Sequence, residues 1–328
     1  MIKFLEIARK LFKSLGKYEY KILDKIIFLK SKNKYIHIND NDILNIQRNL
    51  DNEKYHPKKI AITICFHFNK KKIKNLIKVC SQINEYAFSK HVTIVTNNIK
   101  NNEYNLLKRI LKKTITSFNI TQIEKNPEPN LLPWFCFNIL KKKYNEKSFS
   151  HYLFLEGDIL INSQNINYWI YSRNILKKHK MIPSFLRYEL YKKNMHSVDN
   201  PKIIKIKNTP KIISVSKNSG FINLKYPYHA ACLMDRELMK EYTNSNLISI
   251  DYGFHHKIMR TLYPIKELAN VIIGYINVPA GFHNRYFLPF INKNQIPNYC
   301  LIKHLDNKYS KMKTWHYGNI KIKNLLNN

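Results

Sequence analysis

Glycine is scarce in this sequence, with seven in 328 residues. Neither a G-x-G-x-x-G nor a G-x-x-x-x-G-K-[ST] run occurs, which disfavours both a dinucleotide-binding Rossmann site and a P-loop NTPase. Any phosphorylated ligand is therefore met without a glycine-rich cradle. Cysteine is sparse as well. Cys65, Cys80, Cys136, Cys232 and Cys300 are odd in number, widely scattered and form no C-x-x-C pair. That pattern indicates neither a zinc site nor a disulfide framework and fits a reducing cytoplasm. Long apolar runs are missing too. No segment approaches the about 20 uninterrupted residues of a membrane span, and the lysine-studded opening MIKFLEIARKLFKSLGKYEY has no signal-peptide core with a cleavage site.

Acidic residues are few: 22 against 56 lysines and arginines, for a formal net charge of +34. Lysine, asparagine and isoleucine are abundant together, a trio that an A/T-rich coding sequence favours, so the charge is discounted as a nucleic-acid signal. Base-edge readout also favours bidentate arginines, and lysines dominate. No specific nucleic-acid partner is expected. A basic surface still attracts phosphates, on an anionic bilayer or on a nucleotide-linked substrate. Phe4, Ile7, Ala8, Leu11, Phe12 and Leu15 recur at helical spacing among basic residues. They predict an amphipathic helix that either packs on the domain or lies on an anionic membrane.

An apolar fraction of 44% and an aromatic fraction of 13% support a real core. Along the chain, residues 1–55 read as a basic helical extension. KIAITICFHF (59–68) is β-branched and apolar, as expected of a strand covered on both faces. A helical segment, KKKIKNLIKVCSQINEYA, leads to a second strand, HVTIVTNN (91–98). Another helix near YNLLKRILKK and the stretch TITSFNITQIE follow. After the proline-punctuated KNPEPNLLP, a helix in WFCFNILKKKY precedes the strand HYLFLEGD. This alternation argues an open, mainly parallel α/β sheet flanked by helices. The domain is expected over 56–305, with a basic tail over 306–328.

HYLFLEGDILIN (151–162) carries the functional signal. Two carboxylates, Glu156 and Asp158, flank Gly157 where an apolar strand ends, and the chain then turns apolar again. In open α/β sheets ligands bind beyond the carboxyl ends of the strands. Carboxylate oxygens suit Mg²⁺ or Mn²⁺, which can bridge protein to a diphosphate. The bland alternative is a turn with solvated acids.

At these residues the sequence resembles the GT-A glycosyltransferases, which transfer a sugar from a nucleotide diphosphate and carry an Asp-x-Asp or related acidic triplet. WFCFNILKKKYNEKSFS leading into HYLFLEGDILINSQNINYW is similar to the inverting N-acetylglucosaminyltransferases of N-glycan branching. The layout spans about 58–290, with detail only over 133–170. It departs from the pattern at Gly157, which stands where the central acid would be. The resemblance implies that Asp158 holds the metal with Glu156 in support, and that His304 is a late metal or phosphate ligand. It further implies that His67, Asn69, Thr96 and Asn97 border the nucleotide.

Three expectations concern the downstream half. Asp251, ahead of the helix in SIDYGFHHKIMR, is by resemblance the general base for the acceptor hydroxyl, and equally reads as a helix N-cap. Arg285 in GFHNRYFLPF fits a diphosphate clamp. Arg187 and Glu189 share a strand face by period two and either meet substrate or pair. The expected protein is a metal-dependent glycosyltransferase with a nucleotide-sugar donor and a glycan or lipid-linked acceptor. Its expected place is the cytoplasm or the inner face of a membrane, in surface-polysaccharide synthesis. A basic nucleic-acid-binding protein and a non-catalytic GT-A-like scaffold remain as alternatives.

Overall fold

A computed structural model of the chain describes residues 38–124, 132–198, 212–214, 218–223, 230–244, 286–293, 295–311 and 320–326, and all structural statements refer to these. The amphipathic segment around Phe4–Leu15 lies outside the described residues. Helix α1 (Asp40–Arg48) begins at Asn39, whose side chain accepts the Asn41 N–H at 2.9 Å, and it buries Ile43 and Ile46. Strand β1 (Ile60–Cys65) has only its last residue partly exposed, as a strand covered on both faces requires. Helix α2 (Ile73–Asn84) buries Ile73, Leu76, Val79, Cys80 and Ile83, a spacing that puts one stripe against the core. Then come β2 (Lys90–Asn97), α3 (Asn101–Lys112), β3 (Phe118–Ile123), α4 (Leu132–Asn145) and β4 (His151–Glu156).

The second half alternates less regularly. Its elements are β5 (Ile159–Leu160), α5 (Ser163–Leu176), β6 (Ile182–Pro183), β7 (Leu186–Tyr191), β8 (Asn194–Ser197), β9 (Ile212–Ser214) and β10 (Gly220–Asn223). They continue with β11 (Ala231–Asp235), α6 (Arg236–Thr243), β12 (Tyr286–Phe290), β13 (Leu301–His304) and β14 (Ile320–Lys321).

The main sheet has the order β11-β4-β1-β2-β3. β1, β2, β3 and β4 are mutually parallel, and only β11 runs antiparallel, along β4. This is the open, mainly parallel α/β sheet with flanking helices that the alternation predicts. Helix α4 lies against β1 and β4, stacking Phe137 on Phe154 with ring centroids 5.0 Å apart. Two smaller sheets, β14-β8-β7-β13-β5 and β6-β12-β10-β9, accompany it. The sequence reading did not anticipate them, because most of their strands have five residues or fewer, too short to display a period.

Two features position the site. Cys65 of β1 is in register with Val95 of β2 and Glu156 of β4, so the three carboxyl ends lie side by side. β2 and β3 extend from one edge of β1 while β4 sits on the other, so the strand order reverses between β1 and β4. That reversal is where such sheets open a ligand crevice. The second feature is α5. Asn162 and Asn165 bond reciprocally at its start, at 2.8 and 2.9 Å, satisfying two otherwise orphan N–H groups. The buried Asn165 amide also donates to the carbonyls of Tyr299 and Leu301 at 2.7 and 3.2 Å. One side chain thus starts α5 and holds the segment entering β13. Among the described residues no helix is long and apolar enough to cross a membrane.

Candidate metal and donor site

β4 ends at Glu156, and the chain turns at Gly157-Asp158 before β5. The Gly157 N–H donates to the Cys65 carbonyl at 2.9 Å, clamping the turn onto the end of β1. A Cβ at Gly157 would stand 3.0 Å from Phe66 Cδ2 and 3.3 Å from that carbonyl. A side chain at Gly157 would therefore crowd the Phe66 ring and the Cys65 carbonyl, one of which would have to give way slightly.

β13 runs antiparallel to β5, pairing Lys303 with Leu160 and His304 with Ile159. The ladder extends by one bond, from the Leu305 N–H to the Asp158 carbonyl at 2.8 Å. It sets His304 and Asp306 beside Asp158, and the ligand atoms of all three lie within 4.8 Å of one another. His304 and Asp306 are two apart at the end of a strand, the spacing that sends side chains to one face.

The surroundings of this cluster are specific. His304 Nδ1–H donates to Glu189 Oε1 at 2.6 Å. Glu189, fully buried on β7, also accepts the Ser310 N–H at 2.6 Å and the Tyr309 N–H at 3.3 Å. With Nδ1–H committed to a carboxylate, Nε2 is the atom that faces Asp158, at 3.6 Å from Oδ2. This carboxylate–imidazole pair is how metal-ligating histidines are commonly oriented. Asp158 is 13% exposed, and Lys72 Nζ sits 3.6 Å from its Oδ2 and 2.8 Å from Asp306 Oδ2. Asn75 donates to the other Asp306 oxygen at 2.8 Å. Asp158 Oδ1 is buried with no hydrogen-bond partner.

The electrostatics follow from this packing. Burial would raise the pKa of Asp158, but His304, Lys72 and Lys308 outweigh it and hold the carboxyl well below its usual range. Burial also works against Glu189, yet the His304 bond and the Ser310 amide bring it down to about 2. His304 moves upward: burial opposes its charge, and the bonds to Asp158 and Glu189 overcome that. Lys72 is raised as well, burial being outweighed by Asp306, Asp158 and Glu156.

The donor set fits a divalent cation. Two carboxylates and an imidazole suit Mn²⁺, and oxygen donors suit Mg²⁺. The orphaned Oδ1 of Asp158 offers lone pairs that nothing else uses, a costly state for a buried oxygen unless an ion or water takes them. An ammonium already lies between the two carboxylates, so the pocket accepts positive charge.

The other expected residues take distinct places. Glu156 is half-buried at the end of β4. Asn97, the last residue of β2, accepts the Phe68 N–H at 2.7 Å, and the buried Thr96 hydroxyl donates to the same oxygen at 3.3 Å. Asn69 accepts the Lys71 N–H at 2.9 Å. These side chains hold the loop from β1 to α2. His67 lies in that loop, half-buried, its pKa lowered by burial and by the charge of Lys72. Asp251 and Arg285 lie outside the described residues. Arg187 and Glu189 are both buried on β7, and the bonds resolved for Glu189 run to the His304 side. Asp306, Lys72 and Glu189 are members of the cluster that the sequence reading did not assign to it.

No protein-family model matches the chain, and no curated protein matches its sequence. Solved structures similar to it include TarS of S. aureus, with a TM-score of 0.35 and 12% identity over 56% of this chain and 29% of that one. Another is the mannosyltransferase PcManGT from Pyrobaculum calidifontis in complex with GDP-Man and Mn²⁺. It has a TM-score of 0.37 and 11% identity over 79% of this chain and 65% of that one. The chain thus spans less than two thirds of the length of each.

Proposed function

We propose that the protein is a metal-dependent glycosyltransferase. It would move a sugar from a nucleotide-diphosphate donor to a hydroxyl of a glycan or lipid-linked acceptor. The observation that carries this reading is the convergence of Asp158, His304 and Asp306 at the carboxyl edge of a parallel sheet, with one buried carboxylate oxygen left unpartnered. The three side chains would hold Mn²⁺ or Mg²⁺, and Glu189 would orient His304. Bound there, the ion would neutralise the departing diphosphate and act as a Lewis acid.

The loop held by Asn69 and Asn97, together with His67 and Thr96, would border the nucleotide. Glu156 would support Asp158, and Arg285 would add positive charge against the diphosphate. Asp251 would take the acceptor hydroxyl's proton in an inverting displacement, since a sugar hydroxyl is a poor nucleophile without a carboxylate in reach. The lysine-rich surface suits work at the inner face of a membrane in surface-polysaccharide synthesis.

A thermal-shift screen of nucleoside diphosphates with and without Mn²⁺ tests the reading. A ligand at a hundred times its Kd stabilises by about 2.7 kcal/mol, or roughly 4 °C in Tm for a chain of this size. Stabilisation should require the metal and vanish in Asp158→Asn. Asp251→Asn should keep the shift and lose sugar transfer. If no nucleoside diphosphate raises Tm under any metal condition, the proposal fails.

A further inference from the structure

Lys72 reaches both aspartates of the candidate metal cluster. Its ammonium reaches one oxygen of each aspartate, Oδ2 of Asp306 at 2.8 Å and Oδ2 of Asp158 at 3.6 Å. It leaves Asp158 Oδ1 unpartnered, so it offsets one of the pair's two negative charges without filling the site. The backbone beneath it is fixed: Asn69 and Asn97 bind amides of the preceding loop, and the buried Ile73 anchors the start of α2. The side chain is not fixed in the same way, being 42% exposed, with a flexible stem that can swing its charge outward. Asn75, one turn along α2, would keep its bond to Asp306 if Lys72 left. The lysine is thus a removable cation over a permanent amide.

We propose that Lys72 is the resident cation of this site and exchanges with the divalent metal. It would hold the two aspartates together until the ion arrives, then swing outward to meet the donor's diphosphate. This rests on the metal-dependent reading above. The exchange makes Lys72 a competitor of the free metal and a contact of the bound diphosphate, so its removal affects the two ligands in opposite directions. A lysine acting only through its field would tighten Mn²⁺ on removal no more than a neighbouring charged lysine does, so such a neighbour serves as the control.

Calorimetric titration with Mn²⁺ alone, then with inorganic pyrophosphate on the Mn²⁺-saturated protein, separates the possibilities. Lys72→Met should bind Mn²⁺ about fivefold more tightly than wild type, the competition of a half-exposed ion pair being removed. It should bind pyrophosphate about fivefold more weakly, one charge contact being lost. Lys308→Met removes a nearby exposed charge that acts on Asp158 without occupying the site, and should change Mn²⁺ affinity by less than about twofold. Lys72→Gln serves the same purpose should the Met variant fail to fold.

Equal Mn²⁺ affinity in wild type and Lys72→Met, with binding abolished in Asp158→Asn, would overturn the exchange and leave the metal site standing. Equal tightening in Lys308→Met and Lys72→Met would overturn it too, as a field effect. Unchanged pyrophosphate affinity in Lys72→Met would overturn the diphosphate contact. Absence of Mn²⁺ binding in wild type and Lys72→Met alike would overturn both this proposal and the metal-dependent function.

Discussion

Placing a side chain at Gly157 is the most informative single perturbation. In Gly157→Ala the new methyl would stand 3.0 Å from Phe66 Cδ2 and 3.3 Å from the Cys65 carbonyl, with Phe66 Cβ next at 3.5 Å. Phe66 is 3% exposed and cannot retreat into solvent. The Cys65 carbonyl is held by the Gly157 N–H itself, so relief on one side stretches that bond. Inserting a methyl into such a contact costs about 1–2 kcal/mol, toward the lower end for overpacked sites because one neighbour is the edge of a ring.

Gly157→Asp makes residues 156–158 three consecutive acids and should do worse. It adds the same clash and brings a third carboxylate beside Glu156 and Asp158, for a loss of about 2–3 kcal/mol. The displaced turn carries Asp158, so Mn²⁺ affinity should fall in both variants despite the extra acid in one. Equilibrium urea denaturation at pH 7.5 reads the stability, and titration calorimetry reads the metal. A Gly157→Asp protein as stable as wild type that also binds Mn²⁺ more tightly would refute the steric account.

Two further outcomes are expected. Glu189→Gln offers one acceptor oxygen where two amides and an imidazole now converge, so stability should drop by about 2–3 kcal/mol. The loosened His304 should lower Mn²⁺ affinity about tenfold or more; a variant as stable as wild type would contradict the bonding described. His151 opens β4, partly buried against Trp169, and burial pushes its pKa from the ordinary 6.5 down to about 4. Below pH 6.5 the unfolded chain takes up a proton that the folded chain refuses, so stability falls as the pH drops from 6.5 to 4. The loss should reach about 2 kcal/mol, reduced from the full linkage value because the ring is not wholly enclosed. His151→Phe should flatten that part of the urea-denaturation profile, and an unchanged slope would remove His151 as the cause.

The main sheet was legible because each of its first strands is a continuous apolar run followed by a helix with a clear stripe, patterns that are local. Asp158 stood out as a candidate for the same reason, as an acid bracketed by apolar residues in HYLFLEGDILIN. His304 was reached only through chain order within a resemblance. Its neighbours were hidden by physics that no window of sequence displays. Lys72 is one cation in a chain with 56 lysines and arginines, and its identity lies wholly in what it touches. Glu189 sits in the strand that the reading did recognise, but its role depends on a histidine more than a hundred residues later.

Asp306 is the most instructive of these. The sequence reading rested the metal on Asp158 with Glu156 in support, because the central position is a glycine. In the folded chain the second carboxylate facing Asp158 comes from across the short β5–β13 ladder, whose two paired positions bring Asp306 to the site. The same close turn that crowds a side chain at Gly157 is clamped onto the end of β1 beside Asp158. An aspartate is supplied just beyond the end of β13, where Asn75 and Lys72 hold it. On this view the glycine and Asp306 are one arrangement. Asp306→Asn alone should weaken Mn²⁺ binding about tenfold or more, whereas Gly157→Asp in that background should fail to restore it. Recovery of Mn²⁺ affinity in the double variant would show that the two positions are interchangeable and that the turn is less constrained than its contacts imply.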